Sequence, residues 1–170
     1  MKDNFDQCLA LVLKSEGGFV NNPRDPGGMT NLGVTKATWE AWVGHAVTES
    51  EMRALGPQDV GPVYKAQYWD KINGDALPYG VDYAVFDFCV NSGVNRAAKV
   101  LQQVCGVTQD GKIGAATLAA CQNGNAREIA TTVCEKRLAF LQSLPTYDTF
   151  GKGWANRVAN VEQAAFSMAG

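Results

Sequence analysis

Glu16, Asp25 and Thr30 follow one another at intervals of nine and five residues in the segment Glu16-Gly17-Gly18-Phe19-Val20-Asn21-Asn22-Pro23-Arg24-Asp25-Pro26-Gly27-Gly28-Met29-Thr30. A carboxylic acid, a second carboxylate and a hydroxyl in one turn-rich stretch are the parts needed to protonate a glycosidic oxygen and hold a water for attack. Glu16 falls where a helix should stop. The negative end of a helix dipole disfavours a carboxylate there, which suits a general acid. In a folded-back loop Asp25 would stay ionised as a base or electrostatic partner, and Thr30 would help to fix the water. Each residue taken singly has a plainer reading: a surface glutamate before a Gly-Gly stop, an aspartate serving a Pro-Gly turn, an ordinary strand threonine. The three together in one glycine-rich loop single the segment out.

The elements that must position these groups are mostly helical. Phe5, Cys8, Leu9, Val12 and Leu13 recur at helical spacing, which predicts an amphipathic helix over Asn4 to Ser15, ended by Gly17 and Gly18. Residues 21–35 are rich in Asn, Pro and Gly and predict turns with a small hairpin, with Pro26-Gly27 at the centre of a type II turn. Thr35 caps a helix running to about Val43, and Thr48-Glu49-Ser50-Glu51 predicts a capping box that opens a short helix to Leu55. Further helices are expected over Pro57 to Ile72, Val81 to Asn91, Arg96 to Cys105, Ala115 to Gln122, Ala126 to Leu144 and Val158 to Met168. The pattern predicts a mainly α fold with one small β element. The 170 residues are 46% hydrophobic, which suits a single domain over 1–170, with a motif-bearing lobe over 1–90 and an integrated helical lobe over 91–170.

Composition narrows the function classes. The net charge of −2 lacks the basic footprint of a nucleic-acid binder. The five cysteines are widely spaced, no C-x-x-C occurs and His45 is the only histidine, so a zinc site would need an unusual ligand set. The thiols read as small buried apolar residues of a chain folded in a reducing compartment. The first residues lack the basic and long apolar pattern of a secretory signal, and the apolar run from Leu9 to Leu13 is too short to span a bilayer. A monomer without stable membrane insertion is expected.

The segments Glu16-Gly17-Gly18-Phe19, Asp25-Pro26-Gly27-Gly28 and Thr30-Asn31-Leu32-Gly33-Val34-Thr35 resemble the signature of glycoside hydrolase family 108, N-acetylmuramidases of the lysozyme-like superfamily that include many phage endolysins. The order Glu, Asp, Thr also resembles the catalytic trio of phage-type lysozymes, with the Asp-to-Thr interval one residue shorter here. Tyr68-Trp69-Asp70-Lys71-Ile72, Gly74-Asp75-Ala76-Leu77-Pro78, Phe86-Asp87-Phe88 and Val90-Asn91-Ser92-Gly93 are similar to the middle of that family. Leu101-Gln102-Gln103 with Asp110-Gly111-Lys112-Ile113-Gly114 and Thr117 resembles the peptidoglycan-binding-like region of such proteins, and Gly153-Trp154-Ala155-Asn156-Arg157-Val158 its closing motif.

The resemblance implies a lysozyme-like α-helical domain whose small hairpin or turn-rich loop carries the catalytic residues. It implies hydrolysis of the β-1,4 bond between N-acetylmuramic acid and N-acetylglucosamine in bacterial peptidoglycan, with Glu16 as general acid. Asp25 would stabilise positive charge or activate water, and Thr30 would hold that water. Inversion is the outcome implied, and no metal or organic cofactor is needed. The resemblance further implies an endolysin held in the host cytoplasm until a membrane lesion releases it onto periplasmic peptidoglycan. Two other readings stand beside it: a lytic transglycosylase acting on the same bond, and a non-catalytic wall-binding or secretion-related protein on the same fold.

Sugar sites pair aromatic faces with amides and hydroxyls, which makes Tyr68, Asn91 and Asn95 the candidate glycan contacts. If Asn91 is buried it needs a partner, either substrate or a backbone carbonyl. Trp39, Trp42, Trp69 and Trp154 are expected in the core, His45 on the surface, and Asp87 in a structural role, capping or pairing with Arg96 or Arg157. The Asp110-to-Thr117 stretch is either a wall-binding grip or, as the short remaining chain favours, a turn and helix start within the core.

Overall fold

A computed structural model describes residues 4–23 and 28–170. Among the described residues the chain forms nine α-helices and one three-stranded antiparallel sheet, so the fold is mainly α, as the helical periodicity predicts. It divides into two compact units. One is Asp6–Gln67; the other joins Asn4 and Phe5 to Tyr68–Gly170.

The unit Asp6–Gln67 holds most of α1 (Asn4–Glu16), the strands β1 (Val20–Asn21), β2 (Met29–Asn31) and β3 (Val34–Thr35), and the helices α2 (Lys36–Val43), α3 (Glu49–Arg53) and α4 (Pro57–Tyr64). The predicted caps form. Thr35 Oγ1 accepts from the Thr38 N–H at 3.1 Å, and Thr48 and Glu51 close a capping box over α3. Gly61 of α4 lies close to Leu9 of α1: a methyl group there would stand 3.3 Å from Leu9 Cδ2. The helix expected over Pro57 to Ile72 changes character along its length. It is α-helical to Tyr64, widens to a π-turn over Lys65–Trp69, and tightens to a 3₁₀ turn over Asp70–Ile72. Pro62 lies inside α4; it has no N–H to give to the ladder, which weakens the helix just before it widens.

The second unit packs α6 (Val94–Cys105), α8 (Ala126–Gln142) and α9 (Tyr147–Ala169) around α5 (Val81–Ser92), with α7 (Ala115–Asn123) against α6 and α8. Every residue of α5 from Val81 to Cys89 is buried, which is the pattern of a helix enclosed on all sides. Phe5, Trp69 and Phe86 form an aromatic cluster with ring centroids 5.2 to 5.9 Å apart, Trp69 meeting each phenylalanine edge to face. The Trp69 indole N–H donates to Asp75 Oδ1 at 3.0 Å, and a side chain at Gly74 would collide with the indole ring. Much of the Tyr68–Pro78 motif thus serves to seat one tryptophan.

Three expectations need correction. Trp69 is fully buried, but Trp39 and Trp154 are only half-buried, and Trp42 is 43% exposed, because α2 contributes no buried residue. The last helix starts at Tyr147, not Val158. Gly151 and Gly153 suggest a break, yet Gly151 is buried in the helix, where a methyl group would stand 2.7 Å from the Tyr147 ring. Its lack of a side chain makes room for the aromatic group, which outweighs a helix cost of about 1 kcal/mol. Arg96 does not pair with Asp87; its guanidinium stacks 3.9 Å from the Phe140 ring centroid.

The five cysteines are thiols rather than disulfides, four buried and Cys105 half-buried. Cys105 and Cys121 meet with sulfurs 3.4 Å apart. Burial pushes the Cys89 and Cys134 thiols up to about 12, so they behave as small apolar groups. Gln102 is buried and binds the 110–117 loop through its whole amide. Its Nε2 donates to Asp110 Oδ1, the Lys112 carbonyl and Thr117 Oγ1, and its Oε1 accepts from the Gly111 N–H. Among the described residues no helix is long and apolar enough to cross a membrane.

One buried carboxyl sets a pH dependence. Asp82 is fully buried and accepts from Asn4 Nδ2 at 2.7 Å and from the Gly80 and Tyr83 N–H groups. Burial raises it from 3.8 to about 6 against the pull of those donors. The folded state therefore holds this proton more tightly than the unfolded chain. The associated stability is complete below pH 3.8 and is lost as pH rises through about 6, a loss of about 3 kcal/mol. Asp82→Asn stays uncharged, with the Asn4 amide turning to accept. It is expected to raise Tm relative to the wild-type chain at pH 7.5 but not at pH 4, as read by thermal unfolding at the two pH values.

Candidate active site

Glu16 is the last residue of α1 and is half-buried. Gly17 follows at φ +78° and its N–H returns to the Leu13 carbonyl at 3.3 Å, the left-handed stop predicted for this position. The chain then enters β1, whose Val20 and Asn21 pair with Thr30 and Met29 of β2. Asp25 and the expected Pro26-Gly27 turn lie outside the described residues.

β2 and β3 form a hairpin in which Thr30 faces Thr35 and Asn31 faces Val34. The two-residue turn is Leu32-Gly33, with φ of +52° and +77°, the paired positive values of a type I′ turn. Alternation along β2 divides its side chains between two faces. Asn31 and Val34 share the buried face, with 5% and 4% exposure. Thr30 shares the other face with Val20 and Thr35, and Val20 is more than half exposed. The Thr30 hydroxyl thus belongs to the accessible face of the hairpin.

Two contacts fix this hairpin. Asn31 Nδ2 donates to the Met52 carbonyl at 2.8 Å, with the Arg53 and Leu55 carbonyls at 3.4 Å, so the side chain caps the open end of α3. Tyr64, buried at the end of α4, donates its hydroxyl to the Leu32 carbonyl at 2.7 Å. Gly33 lies beside both Tyr64 and the acid. A methyl group there would collide with the Tyr64 hydroxyl and stand 3.0 and 3.1 Å from Glu16 Cβ and Cγ. The stem of Glu16 therefore rests on the turn of the hairpin that carries Thr30. Beside it, the Arg53 guanidinium lies 4.1 Å from the Phe19 ring centroid. Asn31→Ala removes the 2.8 Å bond to the Met52 carbonyl and is expected to cost about 0.5–1.5 kcal/mol, measurable as a lower urea midpoint with unchanged m.

Tyr68, Asn91 and Asn95 belong to the other unit. Tyr68 lies half-buried in the π-turn, a feature often found at functional sites. Asn91 is exposed near the end of α5; its Oδ1 accepts from Arg137 Nη2 at 3.2 Å and from the Ser92 hydroxyl. The partner is a guanidinium rather than the backbone carbonyl considered from sequence. Arg137 is itself held by Asp87, which also binds Arg157. Asn95, exposed in the first turn of α6, packs against Gly111, where a side chain would overlap its Oδ1.

Sequence reasoning passes over Asn31, Leu32, Gly33 and Tyr64 as site-building residues. Gly33 after an Asn-Leu pair is a legible turn signal. Nothing local in Gly61-Pro62-Val63-Tyr64 marks a tyrosine that reaches back 32 residues to the hairpin.

A half-buried acid on a braced turn, with a hydroxyl on the open face of the same hairpin, can donate a proton and orient a small nucleophile. The family model described as glycosyl hydrolase 108 matches residues 9–93, half of the chain. The solved structure described as Brucella abortus SagA is 46% identical, with a TM-score of 0.86, covering 99% of this chain and 97% of that one. The curated proteins include no match.

Proposed function

Because this chain belongs to the glycosyl hydrolase 108 family, and so to the glycoside hydrolases, we propose that it hydrolyses the β-1,4 bond between N-acetylmuramic acid and N-acetylglucosamine in bacterial peptidoglycan. The observation that carries this reading is the half-buried Glu16 at the end of α1, its stem seated on the Gly33 turn. Glu16 protonates the leaving glycosidic oxygen. Asp25 stabilises charge at the anomeric carbon or activates water, and Thr30 orients that water from the open face of the hairpin. Tyr68, Asn91 and Asn95 contact the glycan. In an inverting reaction the two carboxyl groups would stand about 6.5–9.5 Å apart to admit the water. In the cell the chain acts as an endolysin, reaching periplasmic peptidoglycan after a separate membrane lesion.

The test is digestion of purified peptidoglycan and mass spectrometry of the products. New reducing N-acetylmuramic ends are expected. Anhydro-muramic ends would instead make the chain a transglycosylase. No release of sugar, with retention of the chain on the wall, would make it a binding protein.

A further inference from the structure

We infer that Tyr64 is a positioning residue for Glu16, acting through the Leu32-Gly33 turn; the inference rests on the reading of Glu16 as general acid. Leu32 adopts φ +52°, a conformation uncommon for a leucine and maintained only where surrounding structure imposes it. The Tyr64 hydroxyl bonds the carbonyl of that same residue at 2.7 Å. At the next residue, Gly33, the Tyr64 hydroxyl and the Glu16 stem share the space a side chain would fill: a methyl group there would collide with the hydroxyl and stand 3.0 and 3.1 Å from Glu16 Cβ and Cγ.

Phenol, turn backbone and carboxylate stem thus converge at Gly33. The phenol has little freedom of its own, being 2% exposed at the last turn of α4. A turn held at this height limits how the Glu16 stem can swing, and so fixes where its carboxyl delivers a proton. Proton transfer demands hydrogen-bond reach, and displacement of a reacting group by about 1 Å can cost about 100-fold in rate.

Tyr64→Phe keeps the ring and removes the hydroxyl that bonds the Leu32 carbonyl. On soluble glycan chains of alternating N-acetylglucosamine and N-acetylmuramic acid, kcat is expected to fall by about 10- to 100-fold, with KM within about twofold of wild type. The second measurement is coupling. In a Glu16→Gln background, Tyr64→Phe should lower the residual rate no further, because there is no proton delivery left to misplace. Wild-type kcat in Tyr64→Phe, or a full additional loss in the Glu16→Gln background, would overturn the inference. If Tyr64→Phe does not fold, Leu32→Gly is used; it accepts the turn but loosens it, and the same fall in kcat at unchanged KM is expected, with wild-type kcat overturning the inference. Failure of the underlying reading looks different: Glu16→Gln would then cleave at the wild-type rate.

Discussion

Glu16→Gln is expected to lower glycan cleavage by about 10²- to 10⁴-fold, the range that general acid catalysis contributes, with far-UV circular dichroism and Tm unchanged. Glutamine matches glutamate in length and has the same stem, so the contacts of Cβ and Cγ with Gly33 survive. What is lost is the transferable proton. Thr30→Ala should act more weakly, because Thr30 shares the accessible face with Val20 and Thr35 and its proposed role is to orient water rather than to react. Turbidity loss of purified cell walls gives all three rates in one assay. A Glu16→Gln chain that clears walls as fast as wild type would refute the assignment. The ratio between the two variants also informs: equal losses would make the hairpin, rather than the acid alone, the unit of function.

The local parts of this site were legible in the sequence because caps and turns are written in a few adjacent residues. Gly17 marks the end of α1, and Thr35 and the Thr48–Glu51 pair mark helix starts. Where a local rule and a packing need compete, the sequence misleads. The last helix is expected only from Val158, yet Gly151 lies inside it and lets the Tyr147 ring lie against α9. Trp42 reads as core, yet α2 buries none of its residues. The illegible parts are the long-range polar pairs: Asn31 with Met52, Tyr64 with Leu32, Asp87 with Arg137 and Arg157. Their partners stand 21 to 70 residues apart, and no periodicity records which donor will meet which acceptor. Arg157 is one of the two partners the sequence suggests for Asp87, and that pair exists; the more buried Arg137 carries no sign in its own surroundings.

That buried pair carries the largest expected effect on stability. Asp87 has no exposed surface and Arg137 only 1%. Arg137 Nη1 donates to Asp87 Oδ2 at 2.7 Å, and Arg157 reaches both carboxylate oxygens through Nε and Nη2 at 3.1 Å. One carboxylate thus holds two guanidinium groups against α5, the helix at the centre of its unit. Arg137 Nε has no hydrogen-bond partner, so Asp87 supplies the principal compensation for burying this cation. Asp87→Ala leaves it unpaired, which should cost about 3–5 kcal/mol and lower Tm by roughly 10 °C for a chain of this size. The charge itself is not required for folding. Asp87→Leu combined with Arg137→Met removes both buried charges and should recover most of the loss, since Arg157 is 15% exposed and can turn toward water. The single and double variants therefore separate an uncompensated charge from a packing defect: equal destabilisation of both would identify packing as the cause. Arg137 also holds Asn91 Oδ1, a proposed glycan contact. Even below its melting temperature, then, the Asp87→Ala chain should show a raised KM while Glu16, which belongs to the other unit, keeps kcat near wild type.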